Sequence, residues 1–450
     1  MDQITEQVTN FVCNFSLDEM PSALVTAAED HLVDSIGCAV AGKGSRPVQM
    51  ALQVGGLPSS LAYEGGILFQ SGRMSLDQAS FVNACMIRAL DFNDRYPGGH
   101  PSDCLGAILA FAIGKNLSGT SLLKSMIVTY EIFARLSDAA MLSRKGWDQG
   151  FVVGLSTAGG LCNLLSLSPE KVANAIGMIA SNGVPFRVTR AGELSEWKNV
   201  ATPFAVRNAA FLTLMAECGL EGPLRPFEGR NGLFENITGA FSIKPFPGFG
   251  GDVMTPSVQL KYWPVETNAQ PVVWAALDLR SQVDVADITS IDVFTNKFTV
   301  FEIASEPPKW DPQTRETADH SLPYIMARSL VDGPLTESSF SLSAVRDPSL
   351  RPLMNLIKVS VDPHIDALPS GEVELRLVVS LRNGKILEIF TGNPLGHPAK
   401  PMSRSDVSEK FLRLSQPVFG DVIAGKLLSD LWDVSNSARI GSLLDGYHAG

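Results

Sequence analysis

Side chains suited to proton transfer are concentrated in one short segment after an apolar helical stretch. From Leu90 to Asp103 the chain places acids, Arg95 and one of its six histidines, His100, among glycines and prolines. An unperturbed imidazole has a pKa near neutrality, so a histidine close to Asp91 is suited to general acid–base work. In the alternative interpretation, the segment only ends a helix: Asp91 binds backbone amides, and His100 caps a turn.

Two further segments carry similar chemistry. Glu316–Tyr324 combines acids with His320, Ser321 and the phenol of Tyr324, and Lys198 lies near the start of a predicted helix. Each has an alternative interpretation. A serine before an apolar stretch is a common helix N-cap, so His320 and Ser321 can be capping residues. Tyr324 can be a core aromatic with a satisfied hydroxyl, and Lys198 a solvated lysine. The remaining histidines have no partner signal and are interpreted as structural or solvated: His31, His364, His397 and His448.

In this order, the three segments resemble the MmgE/PrpD family, which includes 2-methylcitrate dehydratase, cis-aconitate decarboxylase and iminodisuccinate epimerase. The specific strings are Asp91–Asp94 with Gly99–Asp103, and Glu316–Tyr324. Supporting matches are Gly146–Asp148, Ser195–Asn199, Gly222–Pro223, Phe227–Gly229, Trp263–Pro264 and Ala269–Gln270. The resemblance covers nearly the whole chain. It implies a small polycarboxylate substrate and a homodimer built on the helical domain.

The resemblance also implies that Asp91, His100, Lys198 and Tyr324 line the active site. Removing a proton beside a carboxylate requires a positioned base, expelling hydroxide requires an acid, and the developing charge requires a cation. His100 is the candidate base or acid, and Asp91 would orient it. Lys198 or Arg95 would hold a carboxylate, and Tyr324 would donate or accept a proton.

Three positions depart from the family pattern. Arg95 stands where threonine is common, while Gln149 and Asn268 stand where many relatives have histidine. Two possible proton carriers are therefore missing, and one cation is added. The candidate substrate-binding residues are Arg95, Asp148, Gln149, Asn268, His320 and Ser321.

Composition limits the cofactors and partners. The six cysteines are scattered without CxxC spacing, which argues against a disulfide framework, a zinc site and an iron–sulfur cluster. We therefore expect no metal and no cofactor. The net charge of −11 and the absence of a basic patch argue against nucleic-acid binding. The sequence has no uninterrupted apolar run of the roughly 20 residues that a membrane span needs.

The N-terminus is acidic and polar, resembling neither a signal peptide nor a basic mitochondrial transit peptide, so a cytoplasmic location is expected.

Hydrophobic periodicity predicts an α-rich protein of two domains. A large all-α domain spans 1–265, a smaller α+β lid domain spans 266–402, and the helical pattern resumes over 403–450. The family resemblance implies that these C-terminal helices return to the helical domain. The pattern predicts a strand over Asp287–Phe301 and a hairpin whose Asn383–Gly384 turn is of type I′. This division places the candidate residues near a domain boundary, where ligand sites are common.

The favoured function is a hydro-lyase that dehydrates 2-methylcitrate or a longer 2-alkylcitrate without a cofactor. Three alternatives remain open. An epimerase acting on an iminodisuccinate-like diacid would need bases on two faces of one carbon. A decarboxylase would act on cis-aconitate or a relative. The two missing histidines are compatible with a homologue that binds a polyacid without turning it over.

Overall fold

The chain divides into two compact units that do not coincide with continuous segments. In the computed structural model the described residues are 1–18, 20–46, 48, 49, 52, 64–70, 72–368, 371–444 and 447, so His448 lies outside them. The first unit comprises Met1–Val188, Asn199–Leu260 and Ser403–Gly450, and the second comprises Thr189–Lys198 and Lys261–Met402. The segment Thr189–Lys198, assigned by sequence to the helical domain, thus groups with the second unit.

The first unit is helical apart from one short hairpin. Its elements are α1 (Gln3–Asn14), α2 (Ser22–Gly42), β1 (Glu64–Gly66), β2 (Arg73–Ser75), α3 (Leu76–Arg88), α4 (Leu105–Gly114), α5 (Gly119–Ala140), α6 (Gly150–Leu164), α7 (Pro169–Ala180), α8 (Trp197–Glu217, from Asn199 onward in this unit), α17 (Arg404–Phe419), α18 (Asp421–Trp432) and α19 (Ile440–Leu444). The C-terminal helices belong to this unit, and α17 packs on α2.

Small residues let these helices approach closely. A Cβ on Gly160 of α6 would lie 1.9 Å from the Thr129 hydroxyl of α5, so only glycine fits there. Caps fix the ends of the helices. Ser118 starts α5 by accepting a hydrogen bond from the Ser121 amide, and Ser403 forms a capping box with Asp406 at the start of α17.

The second unit combines a sheet with helices. Its elements are α9 (Gln270–Gln282), β3 (Ile288–Thr295), α10 (Lys297–Ile303), α11 (Pro307–Trp310), α12 (Arg315–Ala318), α13 (Leu322–Asp332), α14 (Leu342–Val345), α15 (Arg351–Met354), β4 (Ile357–Val361), α16 (Pro363–Asp366), β5 (Leu375–Leu381) and β6 (Ile386–Thr391). The strand order is β4-β3-β5-β6, with β4 parallel to β3 and the other neighbours antiparallel. The predicted fold class, a helical domain with a smaller α+β domain, is confirmed.

The core of the second unit lies between one face of this sheet and two helices. Buried and half-buried residues alternate along β5, as expected for a strand with one covered face. Its buried side chains pack with α9 and α13, whose buried residues belong to the same cluster. The helix α13 packs on α9, which contacts β5 and β6, and the Asp319–Ser321 turn directly precedes α13.

The predicted strand over Asp287–Phe301 is only half right. The chain is extended from Ile288 to Thr295, and Lys297–Ile303 is then the helix α10. The side chain of Asn296 accepts a hydrogen bond from the Thr299 amide at 2.7 Å, which caps this helix. The β-branched composition continues past residue 296, but the cap ends the strand.

The predicted hairpin between β5 and β6 is confirmed, although its turn is not of type I′. A type I′ turn needs positive φ at two central residues. Among the described residues of this loop, Gly384 alone has a positive φ, at +82°. The Gly384 amide donates to the Leu381 carbonyl at 2.9 Å. This geometry is that of a three-residue loop with glycine in the left-handed position.

Within the described ranges, each helix is too short or too polar to cross a bilayer.

Candidate functional site

The loop after α3 holds its first acid in an uncommon backbone conformation. Asp91 has a φ of +49°, in the left-handed region that non-glycine residues seldom adopt. Its amide donates to the Arg88 carbonyl at 3.0 Å, and its carboxylate forms an ion pair with the Arg88 guanidinium. Both side chains are buried. Strained residues of this kind often mark functional sites, because the fold must stabilise them elsewhere.

The geometry of His100 fixes which ring nitrogen carries its proton. Nδ1 lies 2.6 Å from the backbone carbonyl of Asp94. A carbonyl only accepts hydrogen bonds, so Nδ1 must carry a hydrogen. In the neutral ring, Nε2 is then the nitrogen without a hydrogen, and it lies 3.7 Å from the nearer carboxylate oxygen of Asp91. His100 can therefore accept a proton at Nε2, and Asp91 can stabilise the imidazolium that results.

Gln149, which replaces a common family histidine, lies against the same loop. Its side-chain oxygen accepts a hydrogen bond from the His100 amide at 2.7 Å. A Cβ on Gly99 would lie 1.8 Å from that oxygen, so only glycine permits this approach. The amide of Gln149 therefore holds the backbone that carries His100.

Beneath the loop, a buried polar cluster connects Arg88 to the 3₁₀ turn Pro101–Cys104. Asn93 donates to Ser102 at 2.8 Å and to Asp103 at 2.9 Å. Burial is the largest influence on Asp103 and raises its pKa to about 6, because Arg88 and the hydrogen bonds offset only part of the desolvation.

This raised pKa predicts a pH-dependent loss of stability. The folded protein holds the Asp103 proton more tightly than the unfolded chain, so this contribution is complete below about pH 4 and is lost by about pH 6. In the variant Asp103→Asn, which cannot ionise, we expect the free energy of unfolding to fall less across this window, by about 2–3 kcal/mol. Urea unfolding at pH 4.5 and pH 7 measures the difference. Equal pH dependence in both proteins would contradict the assignment.

The second unit contains a compact cluster around Asp319. Lys198 Nζ lies 3.4 Å from Asp319 Oδ1 and 3.2 Å from His320 Nδ1. His320 Nδ1 lies 2.5 Å from the same carboxylate oxygen. Lys198 and Asp319 are almost wholly buried, while His320 is slightly exposed. One carboxylate thus orients an ammonium and an imidazole.

The other candidates of this unit make contacts within its own framework. Ser321 accepts the Tyr324 amide at 3.2 Å and caps α13. The Tyr324 hydroxyl donates to the Ser339 carbonyl at 2.5 Å, and burial raises its pKa. These contacts match the alternative interpretation of Ser321 as a cap and of Tyr324 as a core residue. Asn268 is buried and donates to Glu266 at 3.0 Å.

The remaining candidates of the first unit are Asp148, which directly precedes Gln149, and Arg95, which precedes His100 in the same loop. Asp148 is buried and accepts the Gly150 amide at 3.1 Å, at the start of α6. Arg95 is half-buried, and its backbone pairs with Gln259 at 2.8 Å in both directions. The structure thus brings His100 together with Asp91 and Gln149.

Three residues relevant to these clusters were not among the candidate site residues of the sequence analysis. Lys309 is 2 % exposed, and within the second unit the described residues give its ammonium no ion-pair partner. Burial, followed by the charge of Lys198, lowers its pKa. Glu316 has a raised pKa, through burial and then the charge of Asp319. His31 forms a buried ion pair with Asp94. Of these three residues, only His31 had a sequence signal, and it was weak: His31 and Asp34 share a face of a predicted helix at i and i+3.

Comparison with known families agrees with the motifs. The family model described as "MmgE/PrpD N-terminal domain" matches residues 6–245, and "MmgE/PrpD C-terminal domain" matches residues 263–433.

Characterised relatives match over most of their length. A 2-methylcitrate dehydratase of Cupriavidus necator is 28 % identical over 434 residues, covering 88 % of this chain and 86 % of the relative. A mitochondrial 2-methylcitrate dehydratase of Yarrowia lipolytica is 25 % identical, covering 99 % and 89 %. A human cis-aconitate decarboxylase is 24 % identical, covering 99 % and 95 %.

Proposed function

Because this chain belongs to the MmgE/PrpD family, an enzyme family, we propose that it is a lyase that dehydrates a 2-methylcitrate-like or longer 2-alkylcitrate by side-chain acid–base chemistry. The names of its relatives support the reaction class. The observation that carries the proposal is the hydrogen bond from His100 Nδ1 to the Asp94 carbonyl, which leaves Nε2 as a base facing a buried carboxylate.

In the proposed elimination, His100 Nε2 takes the proton on the carbon next to a carboxylate. The electron pair of that C–H bond forms the new C=C bond, and the C–O bond on the neighbouring carbon breaks. The departing hydroxide takes a proton from solvent, and His100 afterwards releases its proton to solvent, so the products are an alkene and water. Asp91 stabilises the imidazolium, because an opposite charge at short range favours the charged form.

We assign carboxylate binding to two buried lysines of the second unit, Lys198 and Lys309. Lys198 already has Asp319 at 3.4 Å, whereas Lys309 has no ion-pair partner in that unit's described residues. A buried ammonium without a counter-ion is costly, so an anion that supplies one binds favourably. A substrate with several carboxylates meets this requirement. The stacked rings of Trp147 and Phe186, 5.3 Å apart, lie next to Asp148 in the first unit and offer an apolar contact for an alkyl tail.

Replacing Lys309 with methionine tests this assignment. We expect KM for the polycarboxylate to rise about tenfold or more, which is the loss of one hydrogen-bonded charge contact. Stability should be unchanged or higher, because the variant removes a buried charge for which the described residues of this unit supply no ion pair. The matched control is Lys297→Met, which changes an exposed lysine of the same unit. A drop in thermal stability with an unchanged KM would mean that Lys309 is structural.

Proton NMR in D₂O with a panel of polyacids tests the reaction itself. The panel contains 2-methylcitrate, longer 2-alkylcitrates, cis-aconitate and iminodisuccinate. A new alkene signal from an alkylcitrate supports the proposal, and comparison of tail lengths identifies the preferred substrate. Itaconate-type methylene signals would indicate a decarboxylase instead, the activity named for the human relative. Exchange of the α-proton without net conversion would indicate an epimerase. Thermal stabilisation by a polyacid without turnover would indicate a binding homologue. Repeating the active reaction after extensive chelation tests the absence of a metal.

A further inference from the structure

One face of α2 presents a buried base and a buried acid beneath the loop that carries His100. His31 and Asp34 are 3 % and 2 % exposed and lie three residues apart, on the same side of the helix. His31 Nδ1 lies 3.1 Å from the carboxylate of Asp94, and Asp34 lies 2.5 Å from the ammonium of Lys410. Two buried ion pairs therefore anchor one helix to two other segments of the first unit.

The first ion pair belongs to a fully satisfied carboxylate. Asp94 accepts hydrogen bonds from the Ser102 amide at 3.0 Å, the Ser102 hydroxyl at 2.6 Å and the Tyr130 hydroxyl at 2.7 Å. Burial opposes ionisation, but these bonds and His31 outweigh it, so the pKa of Asp94 is lowered. Asp94 is therefore a fixed anion, and its own backbone carbonyl is the group that holds His100 Nδ1.

The second ion pair holds the same loop at Phe92, two residues before Asp94. Lys410 Nζ donates to the Phe92 carbonyl at 2.8 Å and lies 4.0 Å from the centre of the Phe92 ring. The carbonyls of Phe92 and Asp94 are thus both set by buried charged groups on helices. Two separate attachments, one at Phe92 and one at Asp94, therefore hold this loop. Together they restrict the position of the Asp94 carbonyl, which faces His100.

We propose that His31 is a positioning residue: together with Tyr130 it fixes Asp94, and through the Asp94 carbonyl it keeps His100 in the tautomer whose Nε2 carries no hydrogen. If Asp94 moves, His100 gains access to the other tautomer, whose Nε2 carries a hydrogen and cannot accept a proton. The effect on turnover rests on the proposed function, but the tautomer does not. His31 is faced by Asp94 from the loop, by Asp30 and Asp34 of its own helix, by Tyr130 of α5 and, beyond Asp34, by Lys410.

Nitrogen NMR of the imidazoles tests the proposal without a substrate. The full chain is labelled with ¹⁵N-histidine, and the His100 signals are assigned by their absence in His100→Gln. In the natural protein we expect a pyrrole-like Nδ1 and a pyridine-like Nε2. In His31→Gln and in Tyr130→Phe we expect the two nitrogen shifts to move toward each other as the tautomers mix. With an active substrate, kcat should fall about 10- to 100-fold in His31→Gln, with KM changed less than about threefold.

Tyr130→Phe keeps the proposal testable if His31→Gln does not fold, because it removes one hydroxyl and no charge. The matched control is Thr129→Val on the same helix, whose hydroxyl donates only to the Ser125 carbonyl. It should leave the His100 shifts unchanged. Unchanged His100 shifts in folded His31→Gln and Tyr130→Phe would overturn the proposal and leave the ion pair a structural one. Altered shifts without any turnover on the polyacid panel would support the positioning role while rejecting the proposed function.

Discussion

Replacing His100 with alanine is expected to lower kcat/KM for the polycarboxylate about 10²- to 10⁴-fold, the usual contribution of a general base. The reason is specific to one atom. Nδ1 is committed to the Asp94 carbonyl at 2.6 Å, so Nε2 is the only ring position that can take a proton. The variant should also lose exchange of the substrate's α-proton with D₂O, which reports proton abstraction even when later steps are slow.

The control for this loss of activity is a substitution at a second histidine. His364 is exposed on α16 in the second unit, and His364→Ala should retain activity. Circular dichroism and the melting temperature then show whether His100→Ala is folded. An active His100→Ala would remove the imidazole from the reaction. Loss of net dehydration with exchange preserved would assign His100 to the acid step, in which hydroxide leaves.

The Asp91–His100 cluster was predictable because its members are close in the sequence. Asp91 and His100 are nine positions apart in one loop and lie 3.7 Å from each other, so the string alone indicated the pair. The support for the loop was not predictable. His31 and Asp94 are separated by 63 positions, and Lys410 contacts Phe92 across 318. A histidine on an apolar helix face has no visible partner until the helices are packed.

The fold prediction likewise succeeded where the signal is local in the sequence and failed where a single side chain or the packing decides. Each long helix carries its own sequence signal: the pattern predicts helices over 120–140 and 150–165, within one residue of α5 and α6 at each end. The strand ending at Thr295 was overextended, since one capping side chain, Asn296, outweighs the composition that follows. Lys309 had no sequence signal, because the burial of a lysine is recognisable only once its surroundings are known.

Replacing Lys198 with methionine is expected to lower kcat/KM about 10²- to 10³-fold, the size of effect seen when a charge-stabilising group is removed from an active site. Methionine keeps most of the length of the apolar stem. The substitution also removes the cation 3.4 Å from Asp319, and breaking a buried ion pair costs about 3–5 kcal/mol of stability. Activity alone therefore cannot distinguish a substrate-binding lysine from one that only neutralises Asp319.

The double variant Lys198→Met/Asp319→Asn makes that distinction. It removes both charges, while the asparagine oxygen can still accept the hydrogen bond from His320 Nδ1. We expect most of the lost stability to return, because replacing both members of a buried pair is far less costly than removing one. Activity should stay low, because the substrate carboxylate has still lost its cation. If activity returned with stability, Lys198 would serve only to balance Asp319, and Lys309 would be left as the candidate cation of this unit.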